Sequence, residues 1–478
     1  MEDAKIGTGY WAFSWRDLDE IDECVQGSVE YYRGRTLLDI PFGELLGAPG
    51  IVVHGGPPQR PTRVDHIFGL TRSGRHAVLA DAFFLSGKTS IPGGSCQRIE
   101  AGYLLLGRER FDPSGLVSKI ELGLRGLNEW AASLFSAEAT YEPNGMFRGL
   151  SVDLDRDKSN RILMNDAQLK IELIHTLSSS ALTAAGMSVR HDCMLCISFN
   201  EPVSLNGAIE TAGKLERFFS FCMEQFAEIM SLRIGFVDCD KLVDCYYPFP
   251  LPRHPNQEFD CREMPLNYSV VRDDINDSLK RWLDADSFLK SACDIVSSFD
   301  AGKWDLPINI SFIAIAQALE ALSKIDANSF SLEPEKYKRF KKIALDSIDD
   351  REVRDWIQRR LNGNNKGQQA LLKEFFVRHR DVVDAVIPGG EKKFLYAQKS
   401  YRNSCVHPGR GHAGGSLPDE MEAFYWHMKC SRLICKLVIA KLIGLPFNEI
   451  INPNRCRAEW NNVIRRARAM YSSSSTGE

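Results

Sequence analysis

Two hydrophobic periods divide the chain. Between residues 28 and 110, short runs alternate or cluster apolar side chains, and glycine- and proline-rich turns separate them, which predicts strands. The pattern continues in two later runs. The predicted strands are 29–32, 36–40, 66–70, 77–85, 103–106, 168–175 and 187–199. The front of the chain is therefore predicted to be β-rich.

Apolar residues recur at three- and four-residue steps from 208 to 232, which predicts one long helix that closes the front part. A proline-rich connector comes next at 246–265. From about residue 281 the helical period persists without strand signals. The helices predicted there are 278–299, 309–325, 333–348, 368–380, 392–406, 417–445 and a basic 455–470. Such a succession is typical of an α-helical bundle.

The predicted fold class is α+β and multidomain. We expect a β-rich N-terminal domain with its closing helix and connector at 1–280, and an all-α bundle at 281–450. A basic helix and a serine-rich tail, expected to be disordered, make up 451–478. Two or three domains suit a chain of 478 residues.

Charge sharpens this division. The whole chain has a net charge of -4, but residues 301–478 sum to +9 and residues 1–300 to -13. The asymmetry indicates that the two parts do different work, with the basic part the better partner for a polyanion.

The sequence shows no sign of membrane insertion or secretion. The start of the chain has no basic segment followed by an apolar one, and Lys436 and Lys441 interrupt the longest apolar helix. Thirteen cysteines, several in apolar surroundings, are typical of reduced thiols. We expect a cytoplasmic protein.

Two short motifs resemble binding sites but lack residues that such sites require. Gly87-Lys88-Thr89 resembles the end of a phosphate-binding loop, but Ala82 stands where the first glycine is needed. Cys193 and Cys196 form a lone CxxC inside a predicted strand, so structural cysteines are favoured over a zinc or redox site. No metal ligand set is predicted.

One constellation survives, the string RNSCVHP that starts at Arg402. Arg402 can fork onto phosphate oxygens, His407 titrates near neutrality, and Asn403 can orient the imidazole or a ribose hydroxyl. The glycine-rich loop after this string adds Arg410 and His412 as auxiliary candidates. The set suits phosphodiester cleavage, although an arginine and a histidine near a helix end can also be a cap and a surface pair.

The string, placed late in a helix after Gln317-Ala318-Leu319-Glu320-Ala321-Leu322 and before a long helix that ends near Gly444, resembles the HEPN domain. More narrowly, the chain resembles the ApeA-like HEPN proteins, which are bacterial anti-phage factors. The front part is similar to the β-rich N-terminal domain of that group in the pattern Ile67-Phe68-Gly69-Leu70, Ala77-Val78-Leu79 and Leu104-Leu105-Leu106-Gly107. The resemblance spans roughly residues 10–450.

The resemblance implies a metal-independent endoribonuclease without a cofactor, in which two protomers build one cleft as a homodimer. His407 would be the general acid and base, Arg402 would stabilise charge on the phosphate, and Asn403 would orient the histidine or the phosphate. Glu320 is either the acidic residue near such a cleft or a surface carboxylate. The products would be a cyclic phosphate and a 5′-hydroxyl.

The partner implied is RNA, either host tRNA or another cellular or phage RNA, with an acidic N-terminal domain that senses a phage-derived trigger. Abortive infection is the antiviral defence expected. Basic residues near the site are candidates for phosphate contact, namely Lys392, Lys393, Lys399, Arg465 and Arg466. The alternative is a non-catalytic HEPN module that binds RNA or protein.

Overall fold

The computed structural model describes residues 4–32, 34–47, 61–90, 94–132, 135–154, 160–179, 189–248, 258–300, 306–325, 330–361, 363–406, 417–452 and 458–471. The chain separates into two compact units. The N-terminal unit is Met1–Leu283 with Asp300–Lys303, and the helical unit is Asp284–Phe299 with Trp304–Glu478. Each is described by itself.

Strands dominate the N-terminal unit. They are β1 (Ala4–Ala12), β2 (Val25–Tyr32), β3 (Arg35–Ile40), β4 (Arg63–Thr71), β5 (His76–Ser90), β6 (Gly94–Gly107), β7 (Val117–Leu124), β8 (Phe135–Tyr141), β9 (Phe147–Leu154), β10 (Asn160–Asn165), β11 (Leu169–Ser179), β12 (Val189–Val203), β13 (Ile229–Phe236) and β14 (Val243–Tyr246). Each predicted strand lies largely within one of these, which confirms the β-rich front.

Among the described residues, twelve strands form one antiparallel sheet in the order β10-β11-β12-β7-β13-β14-β6-β3-β2-β1-β4-β5. Because β5 also pairs with β6, the last six strands close into a barrel and the others extend from it. Strand β6 makes this possible because two different strands pair with the same edge of it. Its residues 97–101 pair with β3, and residues 104–106 pair with β14. Strands β8 and β9 form a separate hairpin.

The barrel interior is filled by alternate residues of its strands, as the two-residue period of a strand requires. In β3, exposed or half-buried positions alternate strictly with buried ones. The indole of Trp11 is completely buried, and its Nε1 donates to the carbonyl of Gly27 at 3.3 Å. A Cβ at Gly69 would overlap the Trp11 ring. Glycine is therefore needed where the indole lies against the β4 backbone.

The N-terminal unit also contains the helices α1 (Leu127–Trp130), α2 (Leu205–Met223), α3 (Tyr268–Val271) and α4 (Ile275–Leu283). Ser204 caps α2 by accepting from the backbone of Gly207. Phe218 and Phe219 of α2 meet Trp282 and Trp130 edge to face. These aromatic contacts hold the helices of this unit together.

The sequence-based helix at 208–232 was wrong beyond Met223. Glu224 adopts a left-handed conformation that ends α2, and Ile229 begins β13, which pairs with β7. The apolar residues that predicted one long helix belong to the buried face of α2 and, further along the chain, to the buried face of β13. The predicted helix at 278–299 is likewise two helices, separated by residues 284–286.

The helical unit contains α5 (Ser287–Asp300), α6 (Ile308–Lys324), α7 (Pro334–Asp346), α8 (Arg351–Arg360), α9 (Gln368–Arg378), α10 (Arg380–Val386), α11 (Glu391–Val406), α12 (Leu417–Ile443), α13 (Phe447–Ile450) and α14 (Ala458–Tyr471). The predicted order of a β-rich part followed by a helical part is confirmed. Helices α8, α10 and α13 were missed, and the serine tail lies outside the described residues. Helix α12 packs against α6, α10, α13 and α14, so it is central to the bundle.

None of the helices described here combines the length and the hydropathy needed to span a bilayer. The central helix α12 has a nearly continuous buried stretch from Leu433 to Ile443, but it packs within the bundle.

The two rejected motifs lie within strands. Gly87-Lys88-Thr89 belongs to β5 and pairs residue by residue with β6, so its amides serve the sheet. Cys193 and Cys196 are both buried in β12, and the Cys193 sulfur lies 3.1 Å from Nδ1 of His175. Burial raises the pKa of the Cys193 thiol to about 12. A thiol that stays protonated is a poor nucleophile.

Replacing Gly69 with alanine tests the packing of Trp11. We expect Gly69→Ala to lower the free energy of unfolding by about 1–3 kcal/mol, because the new methyl group forces the indole or the β4 backbone to move. Urea denaturation measures the change. Gly213→Ala, in the interior of α2 and with only the end of Arg217 near its new methyl group, is the matched control and should not destabilise. Equal stability of both variants would contradict this account of the barrel.

Candidate functional site

The orientation of α11 is set by apolar packing in its last two turns. Tyr401 and Cys405, four residues apart on one face, pack against a buried cluster formed by Phe312 of α6 and Phe424 of α12. The rings of Tyr401 and Phe424 lie 5.0 Å apart. With these two residues turned inward, the next residue, Arg402, lies at the edge of the packed face and points along the surface toward α6.

Arg402 meets an acidic residue there. Its Nη2 lies 3.6 Å from Oε2 of Glu320, which is in the last two turns of α6. The same carboxylate accepts from Lys324 Nζ at 3.0 Å and from Gln368 Nε2 at 3.2 Å. Three helices thus converge on Glu320. The Arg402 side chain keeps 43% of its surface accessible, so most of its guanidinium N–H groups can still meet a ligand.

The structure does not bring every candidate into this cluster. Asn403 is exposed on the next sector of α11, about 100° further round the helix than Arg402. His407, Arg410 and His412 lie outside the described residues. His407 comes directly after Val406, the last residue of α11.

A buried polar network lies on the inner side of α11. His427 of α12 is completely buried, with Nε2 2.7 Å from Oε1 of Gln398 and Nδ1 2.6 Å from the hydroxyl of Tyr471. Ser431 also donates to Oε1 of Gln398, at 3.4 Å. A neutral imidazole fits these partners if Nε2–H donates to Gln398 and Nδ1 accepts from Tyr471. Helices α11, α12 and α14 are joined at this point, four residues before Arg402.

Burial lowers the pKa of His427 to about 3. The cause is desolvation, because a charged imidazole would be removed from water without an anionic partner to compensate. His427 is therefore a structural histidine and does not exchange protons near neutral pH. Burial also raises the pKa of the Cys405 thiol, so that residue acts as part of the apolar cluster.

The basic residues predicted to contact phosphate are all exposed. Lys392 and Lys399 are seven residues apart on α11 and share the outward face with Asn403, while Lys393 lies on the adjacent sector. On α14, Arg465 donates to Asn462. Arg466 lies 3.4 Å from Glu422 and 5.6 Å from the ring of Trp426. The two groups lie on helices that pack against each other.

Sequence reasoning missed Lys324, Gln368 and the His427 network. Lys324 comes four residues after Glu320, a spacing that signals a pair on one helix face. Gln398 precedes Arg402 by four residues, which hinted at a shared face of α11. Nothing local pointed to Gln368 or Tyr471, because each is distant in sequence from the residue that it contacts. No group of three or more His, Cys, Asp or Glu side chains within the described segments could hold a metal ion.

The fold and the site define a class of protein: an N-terminal β unit built on a barrel, followed along the chain by a helical bundle of the HEPN type. Comparison with family models identifies the family. The chain belongs to the ApeA N-terminal domain 1 family, whose model matches residues 8–282, and an Apea-like HEPN domain matches residues 313–448. No curated protein and no solved structure matches the chain. HEPN domains are commonly ribonucleases, and RNA is the substrate class that this domain implies.

The His427 network predicts a loss of stability in mild acid. The unfolded chain regains an ordinary imidazole with a pKa near 6.5, whereas the folded histidine stays neutral down to about pH 3. The free energy of unfolding therefore keeps its full contribution from His427 above pH 6.5. As the pH falls below 6.5 this free energy decreases, by about 2 kcal/mol at pH 5. Urea unfolding of the full chain at pH 7.5 and pH 5 measures it.

The matched variant is His427→Gln, which keeps a polar side chain but cannot titrate. Its stability is lower at pH 7.5, and its loss between pH 7.5 and pH 5 is smaller than that of the wild type. Identical pH dependence of the two proteins would show that His427 does not contribute to acid sensitivity.

Proposed function

We propose that the protein is a metal-independent HEPN endoribonuclease that acts in abortive-infection defence against phage. The observation that carries the proposal is the position of Arg402. It lies in the last turns of α11, inside the HEPN match, with Glu320 3.6 Å away and His407 five residues further along the chain. An arginine held by a carboxylate, with a histidine five residues later in the chain, is a pair of residue types suited to phosphodiester chemistry.

In the proposed reaction, His407 removes the proton from a ribose 2′-hydroxyl as the 2′-oxygen attacks the adjacent phosphorus. The bond from phosphorus to the 5′-oxygen breaks, and that oxygen takes up a proton from an imidazolium. The products are a 2′,3′-cyclic phosphate and a free 5′-hydroxyl. Arg402 stabilises the negative charge that develops on the phosphoryl oxygens, and Asn403 orients the imidazole or the phosphate.

Glu320 is a positioning residue in this proposal. Its carboxylate is held by Lys324 and Gln368, so it offers Arg402 a fixed acceptor on one side. The Arg402 side chain keeps 43% of its surface accessible, which leaves room for a phosphate to approach it. Because a guanidinium with one anchored edge has fewer orientations to lose on binding, it is better prepared for the transition state.

The finer assignments complete the proposal. Arg410 and His412 are auxiliary candidates in the loop after His407, and two protomers build one cleft as a homodimer. The substrate is host tRNA or another cellular or phage RNA. The N-terminal domain, with its boundary near residue 280, senses a phage-derived trigger and restrains the nuclease in the cytoplasm. The acidic front and basic back of the chain support this division.

Substitution of the two central residues tests the activity. We expect His407→Ala and Arg402→Ala each to lower cleavage of RNA by about 10²–10⁴-fold, as the loss of a general acid–base or of an oxyanion donor does. Sequencing of RNA ends from infected cells detects the products. Arg380→Ala is the control, because Arg380 is exposed and pairs only locally with Asp384.

Full cleavage by either variant would overturn the catalytic assignment. The alternative is a non-catalytic HEPN module that binds RNA or protein. Wild-type protein that binds RNA with a salt-dependent affinity, but never releases cyclic-phosphate ends even with infected-cell extract, would establish that alternative.

The role of Glu320 is tested by Glu320→Gln. This variant keeps the shape of the side chain but removes the charge that anchors Arg402, so we expect kcat to fall about tenfold, with KM little changed. In a double-mutant cycle with Arg402→Ala, the two effects should not add, because both act through one guanidinium. Additive effects would mean that Glu320 acts independently of Arg402. Glu210→Gln, whose carboxylate pairs with Lys214 on α2 of the N-terminal unit, is the control.

A further inference from the structure

Helices α7 and α8 form a hairpin of unusual composition, which we call the α7–α8 hairpin (residues 334–360). No residue of either helix is buried. A helix pair in a bundle normally turns an apolar stripe toward the core, and that stripe contributes most of its stability. The α7–α8 hairpin instead exposes Phe340, Ile343, Val353 and Trp356 to solvent, which calls for a function outside the core.

The hairpin begins and ends beside the candidate site. It is inserted between the end of α6, which carries Glu320 and Lys324, and the start of α9, whose first residue is Gln368. These three residues are joined through the Glu320 carboxylate, the same group that meets Arg402. Both ends of the hairpin therefore connect to helix ends that meet at the Glu320 carboxylate, beside Arg402.

The two segments at the base of the hairpin are bonded to each other, and one of them is also paired with α9. A β-bridge joins Phe330 to Asn365, and the Asn364 side chain bonds the backbone of Leu332 in both directions, at 3.1 and 2.7 Å. Lys366 pairs with Glu374 of α9 at 2.7 Å. The Tyr337 hydroxyl closes the hairpin by donating to the carbonyl of Leu361. A hairpin held in this way at its base can present its outer surface in a defined direction.

The outer surface combines aromatic and basic side chains. Trp356 is 58% exposed and Phe340 is 42% exposed. The guanidinium of Arg360 lies 5.5 Å from the Trp356 ring, and Lys336 and Arg339 each lie 5.6 Å from the Phe340 ring. Residues 334–360 contain nine basic and six acidic side chains, and α7 alone contains five basic and two acidic ones.

This combination selects among partners. A membrane or a hydrophobic protein groove would favour a continuous apolar stripe, whereas here cations flank each exposed ring. Single-stranded nucleic acid is bound by this pairing: rings stack on bases, and cations neutralise phosphates. In a duplex the bases are already stacked on one another, so exposed rings add little there.

We propose that the α7–α8 hairpin is a docking arm for single-stranded RNA, with Trp356 and Phe340 as base-stacking platforms and the α7 cations as phosphate contacts. This inference rests on the proposed function, because it supplies the substrate for cleavage at Arg402. It narrows the substrate to RNA with an unpaired segment next to the scissile phosphate.

The test measures binding without cleavage. The probe is a fluorescein-labelled 20-nucleotide oligouridylate with 2′-O-methyl groups, which lacks the attacking hydroxyl, and the protein is the full-length chain. Fluorescence anisotropy gives the dissociation constant at several salt concentrations. We expect Trp356→Ala to weaken binding at least about fivefold, the lower end of what one stacked base contributes. Thermal melting checks that the exposed substitution leaves the fold intact.

A charge variant probes the phosphate contacts. Replacing Lys338, Arg339 and Lys342 by glutamate should weaken binding and reduce the salt slope by about 2, since each lost contact with single-stranded RNA removes about 0.7. Two matched controls lie in the N-terminal unit: Phe42→Ala, at an aromatic residue that is more exposed than Trp356, and glutamate at Arg272, Lys280 and Arg281. Both controls should bind like the wild type.

The outcomes separate this inference from the proposed function. Unchanged binding by Trp356→Ala and by the charge variant overturns the docking arm even if Arg402→Ala abolishes cleavage. A change in oligomeric state with unchanged RNA binding also overturns it, because the hairpin would then be a contact between copies. Weakened binding in a protein that never cleaves RNA supports the arm and refutes the nuclease. Equal loss of affinity for a duplex of the same length would remove the single-strand preference.

Discussion

The candidate site depends on how α11 is rotated about its own axis. That rotation is fixed from the inside, by Tyr401 and Cys405 in the apolar cluster with Phe312 and Phe424, and by Gln398 in its bond to the buried His427. Packed interiors tolerate little displacement, so an inward face that is fully occupied leaves only one orientation for the residues beside it. Arg402 meets Glu320 because the packing of Tyr401, Cys405 and Gln398 fixes the orientation of α11.

Buried polarity strengthens this arrangement. His427 is neutral, and hydrogen bonds to Gln398 and Tyr471 satisfy both of its ring nitrogens. Aromatic side chains surround it, and the ring centroids of Phe394 and His427 lie 4.5 Å apart. A buried polar group that lost one of these partners would be costly, so α11, α12 and α14 are held in one register relative to each other. The site at the surface and the network beneath it are thus two sides of the same helix. The proposed reaction depends on the position of Arg402 and therefore needs such a rigid support.

In the N-terminal unit, one strand belongs to two parts of the sheet. Strand β6 is long enough to give one part of its edge to β3 and another part to β14, so a closed barrel and an open extension share a single strand. Local sequence predicted the strands 36–40, 77–85 and 103–106 well, because alternation is a local property. It did not predict β1, β7, β8, β9, β10, β13 or β14. The apolar residues of β13 had been absorbed into a predicted helix, and Tyr246 of β14 into the proline-rich connector. Glu224, a non-glycine residue with a left-handed backbone, gave no signal of where α2 ends.

The sequence by itself determined the two-part architecture, the helix that ends at Val406 and the chemical character of Arg402, Asn403 and His407, because these depend on local period and on side-chain type. It also suggested Glu320, though only beside an equally good interpretation as a surface carboxylate. The tertiary structure decided that Glu320 faces Arg402, that Gln368 and Lys324 hold its carboxylate, and that Asn403 is exposed. Those contacts join residues tens of positions apart, and only the packing of several helices around a filled core determines which of them meet.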